Sequence, residues 1–300
     1  MTTTSSSSSG ETMKARKVSS SELGSIAVES WVDQTRRPYV QDGYAWVPVR
    51  DGCAWDEDLP ERAGDPRGYQ RLGDLLIFHG DRPSEAEVDG AIRRCHPRGV
   101  LWTRTHLGVM RIPETTLLYG EAGEVLHREN GSRYWLDPQQ VMFSQGNRAE
   151  KARLSAAVSP GERVADMCAG IGYFSVPLGR AGATVDAFEL NPVSYRYLLR
   201  NIRENRLEGS VRGFLGDCRT LISGVYDRLL IGHFEGITMF GAALAHARTG
   251  SVIHLHALED QSDQVLTLAA EAGFSAEVSV RVVKKYGPCR VHLVQDVVLG

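Results

Sequence analysis

Two glycines and two carboxylates, spaced along one stretch of the chain, are the residue types that recognise a nucleoside. Ala169-Gly170-Ile171-Gly172 follows a short apolar run over 163–167. Glycine has no Cβ, so the chain can turn tightly there and bring its backbone close to a ligand. Glu189 stands 19 positions after Gly170, near the end of a second apolar run over 185–190. A carboxylate at the tip of that strand can accept from both hydroxyls of a ribose. Asp217 follows a third run, 211–215, where it would bring an acid to the adenine. The full G-x-G-x-x-G of a dinucleotide site is missing, which removes a reason to expect a pyrophosphate. A nucleoside without phosphates, bound at strand tips, points to S-adenosylmethionine. The glycines alone fit a plain strand-to-helix connection equally well; the acids in frame with them carry the reading.

The elements that must hold these residues alternate. Strand 163–167 leads through the glycine turn to a helix over 174–181, and Gly182 separates that helix from the strand ending in Glu189. A second helix starts at Pro192, where the missing N–H of proline is not needed. Val193, Tyr197, Leu198 and Ile202 fall on one stripe of it and should face a sheet. A fourth strand, 226–231, ends in GHFEG (232–236), followed by helix 238–248, strand 251–258 and helix 261–273. The final strands, 276–286 and 290–299, have no helix between them, so they should pair as an antiparallel hairpin at the sheet edge. The expected class is α/β, a Rossmann-like fold with a seven-stranded sheet, its ligand beyond the carboxyl ends of the strands. His233 is the only histidine placed beyond the fourth strand, and reads either as a residue of the reacting centre or as an ordinary loop histidine.

Three stretches precede the catalytic domain expected over 151–300. Residues 1–25 are rich in Ser and Thr and are expected to be a mobile tail. Residues 26–150 should form a smaller α+β accessory domain, with a β-rich part over 31–55, a polar linker over 56–70, strands over 72–78 and 100–103, and further strands at 116–119, 124–129 and 133–136. Ser84 with Glu87 makes a capping-box start for a helix over 84–95. Residues 137–153, DPQQVMFSQGNRAEKAR, then join the parts; the residues alone read as a connector with a helix cap.

Composition narrows the partners. The chain has 300 residues, 42% hydrophobic and 24% charged, a globular balance, and no apolar run approaches the roughly 20 residues a membrane span needs. Its start has no apolar core of a secretory signal. Five cysteines (53, 95, 168, 218, 289) contain no C-x-x-C pair, so idle thiols in a reducing cytoplasm are expected, with neither disulfides nor a metal site. The net charge of −3 disfavours a dedicated RNA binder, because phosphate contacts supply much of such affinity. Of 34 basic residues only five are lysine, a skew that reads as the codon usage of a GC-rich genome.

DMCAGIGYFSVPLGRAG, FELNP, LLRNIRENRL, GDCR and VKKYGPCRVHLVQDVVL, with YQRLGDLLIF and HRENGSRYWLDPQQVMFSQGNRAEKAR before them, resemble two related tRNA enzymes. One is the tRNA guanine ring-nitrogen methyltransferase of archaea and eukaryotes. The other is the wybutosine-pathway enzyme that transfers the 3-amino-3-carboxypropyl arm of S-adenosylmethionine. The methyltransferase branch has an arginine after FSP and Asn-Leu-Pro beyond the fourth strand; here these positions read FSQGN and GHFEG, similar to the aminocarboxypropyl branch. By this resemblance Gly170, Gly172, Glu189 and Asp217 bind the adenosine part, and Asp166, Ala169, Leu190, Asn191 and Cys218 of the same segments belong with them. Ser144, Asn147 and Lys151 look like holders of the methionine part, with Tyr173 near the sulfonium.

A sulfonium has three electrophilic carbons, and displacement goes to the one in line with a nucleophile about 3–3.5 Å away. Turning the methionine arm exposes Cγ in place of the methyl group, and methylthioadenosine then leaves without help from a metal. Tyr173 and Phe174 could offer the cation an aromatic face, or simply be core aromatics. The resemblance extends to azetidine-2-carboxylate synthases, in which the α-amine of S-adenosylmethionine itself attacks Cγ. The acidic balance favours that small-molecule reaction, with Asn147, Tyr173 and His233 as catalytic candidates, over aminocarboxypropyl transfer to tRNA or a small acceptor, and over methyl transfer.

Overall fold

The computed structural model describes residues 12–26, 29–33, 38–41, 43–60, 68–144, 147–285 and 291–300. The chain divides into two compact units, Met1–Gly68 and Tyr69–Gly300. In the first, β1 (Thr12–Ser19) is followed by the short helix α1 (Leu23–Ile26), then β2 (Tyr39–Gln41), β3 (Tyr44–Pro48) and β4 (Glu57–Pro60), in the sheet order β2-β3-β1-β4. Residues 12–26 are thus structured, which corrects the mobile tail expected over 1–25; residues 1–11 lie outside the described ones. The reason is long-range. Antiparallel ladders to β3 and β4 satisfy the backbone of β1, and Ala15 is fully buried, so pairing overrides polar composition. The same pairing makes a strand of 57–60 at the start of the expected linker.

The second unit opens with β5 (Gln70–Leu72), β6 (Leu75–His79), α2 (Glu85–Cys95), β7 (Gly99–Leu107) and β8 (Ile112–Gly120), in a sheet of order β5-β6-β7-β8. Ser84 accepts from the Glu87 N–H while Glu87 accepts from the Ser84 N–H, the reciprocal cap that the spacing predicts. A hairpin of β9 (Val125–Glu129) and β10 (Ser132–Leu136) leads to α3 (Arg148–Ala157).

The seven-stranded sheet then begins. It is built from β11 (Arg163–Asp166), α4 (Ser175–Arg180), β12 (Thr184–Glu189), α5 (Pro192–Glu204), β13 (Val211–Leu215), α6 (Cys218–Leu221), β14 (Arg228–Ile231), α7 (Ile237–Ala245), β15 (Val252–Ala257), α8 (Ser262–Glu271), β16 (Ala276–Lys285) and β17 (Val291–Leu299). Strand order is β13-β12-β11-β14-β15-β17-β16, parallel through β15 and closed by the antiparallel pair β16–β17. This is the doubly wound class I methyltransferase arrangement, with the expected antiparallel pair at its edge; residues 286–290 lie outside the described ones.

The boundary expected at residue 150 falls inside the second unit. One apolar cluster joins Leu75, Leu101 and Tyr134 to Val164, Val176 and Leu198. Asn201 of α5, fully buried, accepts from the Trp135 N–H at 2.7 Å and donates to the Trp135 carbonyl at 3.1 Å and the Ile171 carbonyl at 2.9 Å. It ties β10 to the glycine turn, and a buried amide with this many partners is costly to break.

Candidate active site

The turn after β11 uses its two glycines differently. Gly170 has φ +58°, and a Cβ there would lie 2.4 Å from Tyr173 Cε2. The left-handed backbone costs an L-residue roughly 1–2 kcal/mol, so glycine answers both the strain and the close approach of the ring. Gly172, at φ +99°, has Val176 Cγ2 at 2.9 Å from its would-be Cβ and packs inward. Beneath the turn lies Asp166, which accepts from Ser175 N–H at 3.1 Å and Ser175 Oγ at 2.6 Å. Burial raises its carboxyl to about 6, against the opposing pull of Ser175.

A cavity of about 320 Å³ opens at the carboxyl ends of the sheet strands. Ten of the fourteen expected site residues line it: Ser144, Asn147, Lys151, Gly170, Tyr173, Glu189, Leu190, Asp217, Cys218 and His233. Asp166, Ala169, Gly172 and Asn191 do not; they support the wall. Ala169 is fully buried with its N–H on the Phe188 carbonyl, and Asn191 caps α5 by accepting from the Val193 N–H at 2.9 Å.

One half of the cavity is built at strand tips. Glu189 accepts from Gly170 N–H and Asn191 N–H, both at 2.7 Å. Burial pushes its carboxyl up, and these two backbone donors oppose the rise. Each carboxylate oxygen keeps a lone pair for a further donor. Asp217 caps α6 and binds Arg219, whose Nη2 lies 2.6 Å away; that hydrogen bond holds the carboxyl below its ordinary range. Behind them Met239 Sδ lies 3.6 Å from Cys218 Sγ and 3.8 Å from Cys168 Sγ, a polarizable wall. Burial raises the Cys168 thiol well above its usual value and Cys218 to about 11, so neither is a ready thiolate nucleophile.

The other half is assembled from distant segments. Lys151 of α3 is 2% exposed and pairs with Glu129 of β9 at 2.5 Å. Its ammonium lies 4.7 Å from the Phe143 ring centroid, 5.7 Å from Tyr173 and 6.0 Å from Tyr134. Burial lowers its pKa, with Glu129 resisting. The Oδ1 of Asn147 is buried and has no hydrogen-bond partner among the described residues; Gln145 and Gly146 of FSQGN lie outside them. Ser144 Oγ is 3.5 Å from Lys284 Nζ. Burial raises the Tyr173 phenol well above its usual value, and burial also lowers His233, against Glu235 and with Arg111. Among the described residues no group of His, Cys, Asp and Glu could hold a metal, and no helix is long and apolar enough to cross a membrane.

Sequence reasoning missed the tip of the β7–β8 hairpin. Val109, Met110 and Arg111 line the cavity although they lie more than 50 residues from the glycine turn. Met110 O accepts from Asn191 Nδ2 at 3.4 Å, and the Arg111 guanidinium stands 5.8 Å from the Phe234 ring. Arg111 has φ +52° in a turn whose N–H returns to the Gly108 carbonyl, a conformation uncommon for any residue but glycine. The one local signal was an apolar pair at the tip of a polar hairpin.

A family model described as the TRM5/TYW2 methyltransferase domain matches residues 125–281. The chain is 33% identical over 241 residues to the tRNA(Phe) (4-demethylwyosine(37)-C(7)) aminocarboxypropyltransferase of Methanocaldococcus jannaschii, covering 76% of this chain and 96% of the relative. Its structure is similar to that of TYW2 from P. horikoshii in complex with MeSAdo, at TM-score 0.68 and 28% identity over 78% of this chain and 91% of the other. The M. jannaschii tRNA m1G37 methyltransferase shares the fold at TM-score 0.70 and 24% identity, over 95% of this chain and 99% of the other.

Proposed function

Because the chain belongs to the TRM5/TYW2 methyltransferase-domain family, we propose that it takes S-adenosylmethionine and spends the 3-amino-3-carboxypropyl arm in place of the methyl group. The observation that carries this is the lining of one cavity by Ser144, Asn147, Lys151 and Tyr173 together with Gly232, His233 and Glu235 of the segment after β14. The residues suit the ligand. Gly170 brings backbone to the cavity wall, Glu189 keeps lone pairs for ribose hydroxyls, and the buried Asn147 Oδ1 can accept from an amine.

The displacement forms a bond from the nucleophile to Cγ and breaks the Cγ–S bond. The electron pair stays on sulfur, so the leaving group is neutral methylthioadenosine. The chain's part is to fold the arm so that Cγ is in line, to keep water out, and to surround the sulfonium with the Tyr173 and Phe174 faces that line the cavity. Relatives named as aminocarboxypropyltransferases of tRNA support a tRNA nucleoside as acceptor.

A second reading, cyclisation of the arm to azetidine-2-carboxylate through its own α-amine, is favoured by two observations. The net charge is −3, unlike that of a dedicated RNA binder. The surroundings that depress Lys151 would also favour a neutral, nucleophilic amine in the same half of the cavity.

Incubation of the protein with S-adenosylmethionine alone, followed by mass spectrometry, separates the readings. Methylthioadenosine with azetidine-2-carboxylate identifies the cyclase. Methylthioadenosine formed only when tRNA is present, with mass gained by the RNA, identifies the transferase. S-adenosylhomocysteine as the product overturns attack at Cγ.

A further inference from the structure

Three cations line the cavity: Lys151, Arg219 and Arg111. Two are already matched. Glu129 holds Lys151 at 2.5 Å, and Asp217 holds Arg219 at 2.6 Å. Among the described residues Arg111 has no carboxylate partner, and its guanidinium stands against the ring of Phe234, in the segment after β14. Burial lowers His106 of β7 and His233, Glu235 opposes it at His233, and the charge of Arg111 adds to it at both, which places Arg111 between the hairpin and that segment. A guanidinium facing a cavity without a partner presents parallel N–H donors that match a carboxylate.

We propose that Arg111 holds the carboxylate of the aminocarboxypropyl arm. This rests on the reading that S-adenosylmethionine fills the cavity. That molecule carries one anionic group; of the acids that line the cavity, Glu189 and Asp217 crowd the strand tips and Glu235 lies by His233, so the anion needs the lining cation that no carboxylate among the described residues already binds. Lys151 is a poorer partner, since a new anion would compete with a buried pair already formed. With the carboxylate at Arg111, Asn147 Oδ1 is left for the α-amine, and the two contacts fix the rotation of the arm that presents Cγ. The hairpin tip, which carries no glycine at position 111, is thereby part of the specificity of the site.

The test compares two ligands that differ by the arm. Titration of the wild type, Arg111→Gln and Arg111→Gly with S-adenosylmethionine and with methylthioadenosine reads the contact directly. Loss of a charge-assisted bond should weaken S-adenosylmethionine about 10- to 100-fold in both variants and leave methylthioadenosine within about twofold. Arg111→Gly also relieves the positive φ, so its melting temperature should hold or rise while the affinity falls. Unchanged S-adenosylmethionine affinity overturns the proposal, including the case in which tRNA binding alone is lost and Arg111 serves an acceptor phosphate. Equal loss of both ligands overturns it as well, by making Arg111 a structural residue. A wild type that binds methylthioadenosine but not S-adenosylmethionine overturns the functional reading together with this inference.

Discussion

The two halves of the cavity are built by different means. At the strand tips each acid finds its partners at the ends of strands: Asp217 binds Arg219 two residues on, and Glu189 binds Asn191 two residues on and Gly170 in the turn after the neighbouring strand. In the other half the partners come from elements that no parallel sheet aligns, as with Lys151 of α3 on Glu129 of β9, and at the tip of the β7–β8 hairpin Arg111 stands against Phe234. Parallel strands bring their tips together whatever the side chains are, so the first half comes with the fold. The second half exists only if α3, the β9–β10 hairpin and the β7–β8 hairpin pack correctly around it. Relatives that share the fold can therefore share nucleoside recognition and still differ in which carbon of the sulfonium they present.

Breaking the long-range pair should show the largest effect. Glu129→Gln leaves the Lys151 charge buried beside three rings, and removing one member of such a pair costs about 3–5 kcal/mol. Urea unfolding should record that loss, and Glu129→Gln with Lys151→Met should recover much of it. A single variant as stable as the wild type would show that this half of the cavity does not depend on the pair.

The next effect belongs to the strand-tip half and is read by pH. Asp166 titrates at about 6 in the folded chain against an ordinary 3.8. A carboxyl with a raised folded pKa binds its proton more tightly when folded, so its contribution is full below pH 3.8 and is lost as pH rises to about 6. That loss amounts to roughly 3 kcal/mol. Asp296 has the opposite sign. Burial raises it, but His254 and Arg153 outweigh burial and hold it at about 2, so its contribution is present above pH 3.8 and lost as pH falls toward 2. Stability followed from pH 2 to 7 should rise with the second and fall with the first, and Asp166→Asn should flatten the interval between 4 and 6.

Ligand binding sharpens the contrast further. Glu189→Ala should weaken S-adenosylmethionine and methylthioadenosine together, by about 10- to 100-fold, since both carry the ribose. Equal affinity in wild type and variant would contradict the ribose assignment. The smallest changes are expected at Asn147→Ala and Tyr173→Phe, about tenfold in kcat with less change in binding, because their contacts matter most when Cγ is in line. Steady-state rates beside direct titrations separate the two; parallel losses would make these residues plain binders.

The strand tips were legible because their chemistry is local. Gly170, Glu189 and Asp217 each end or follow an apolar run, and a parallel sheet places such ends side by side. Asp166, Ala169, Gly172 and Asn191 serve the turn and the cap, and the difference lies in which way a side chain faces, which one-dimensional spacing does not carry. Strand β1 was illegible because its polar residues are held by ladders to partners 25 to 48 residues away.

The pattern of glycines, acids and alternating apolar runs by itself determined the doubly wound sheet, its terminal hairpin and a nucleoside site at the strand ends. Tertiary structure decided the rest: the burial of Lys151 with Glu129, an Asn147 Oδ1 with no partner among the described residues, and the arrival of Arg111 at the cavity from the β7–β8 hairpin. Local sequence sets backbone direction, and direction is enough to align strand tips. Matching a charge to its partner across the cavity depends on how separate elements pack.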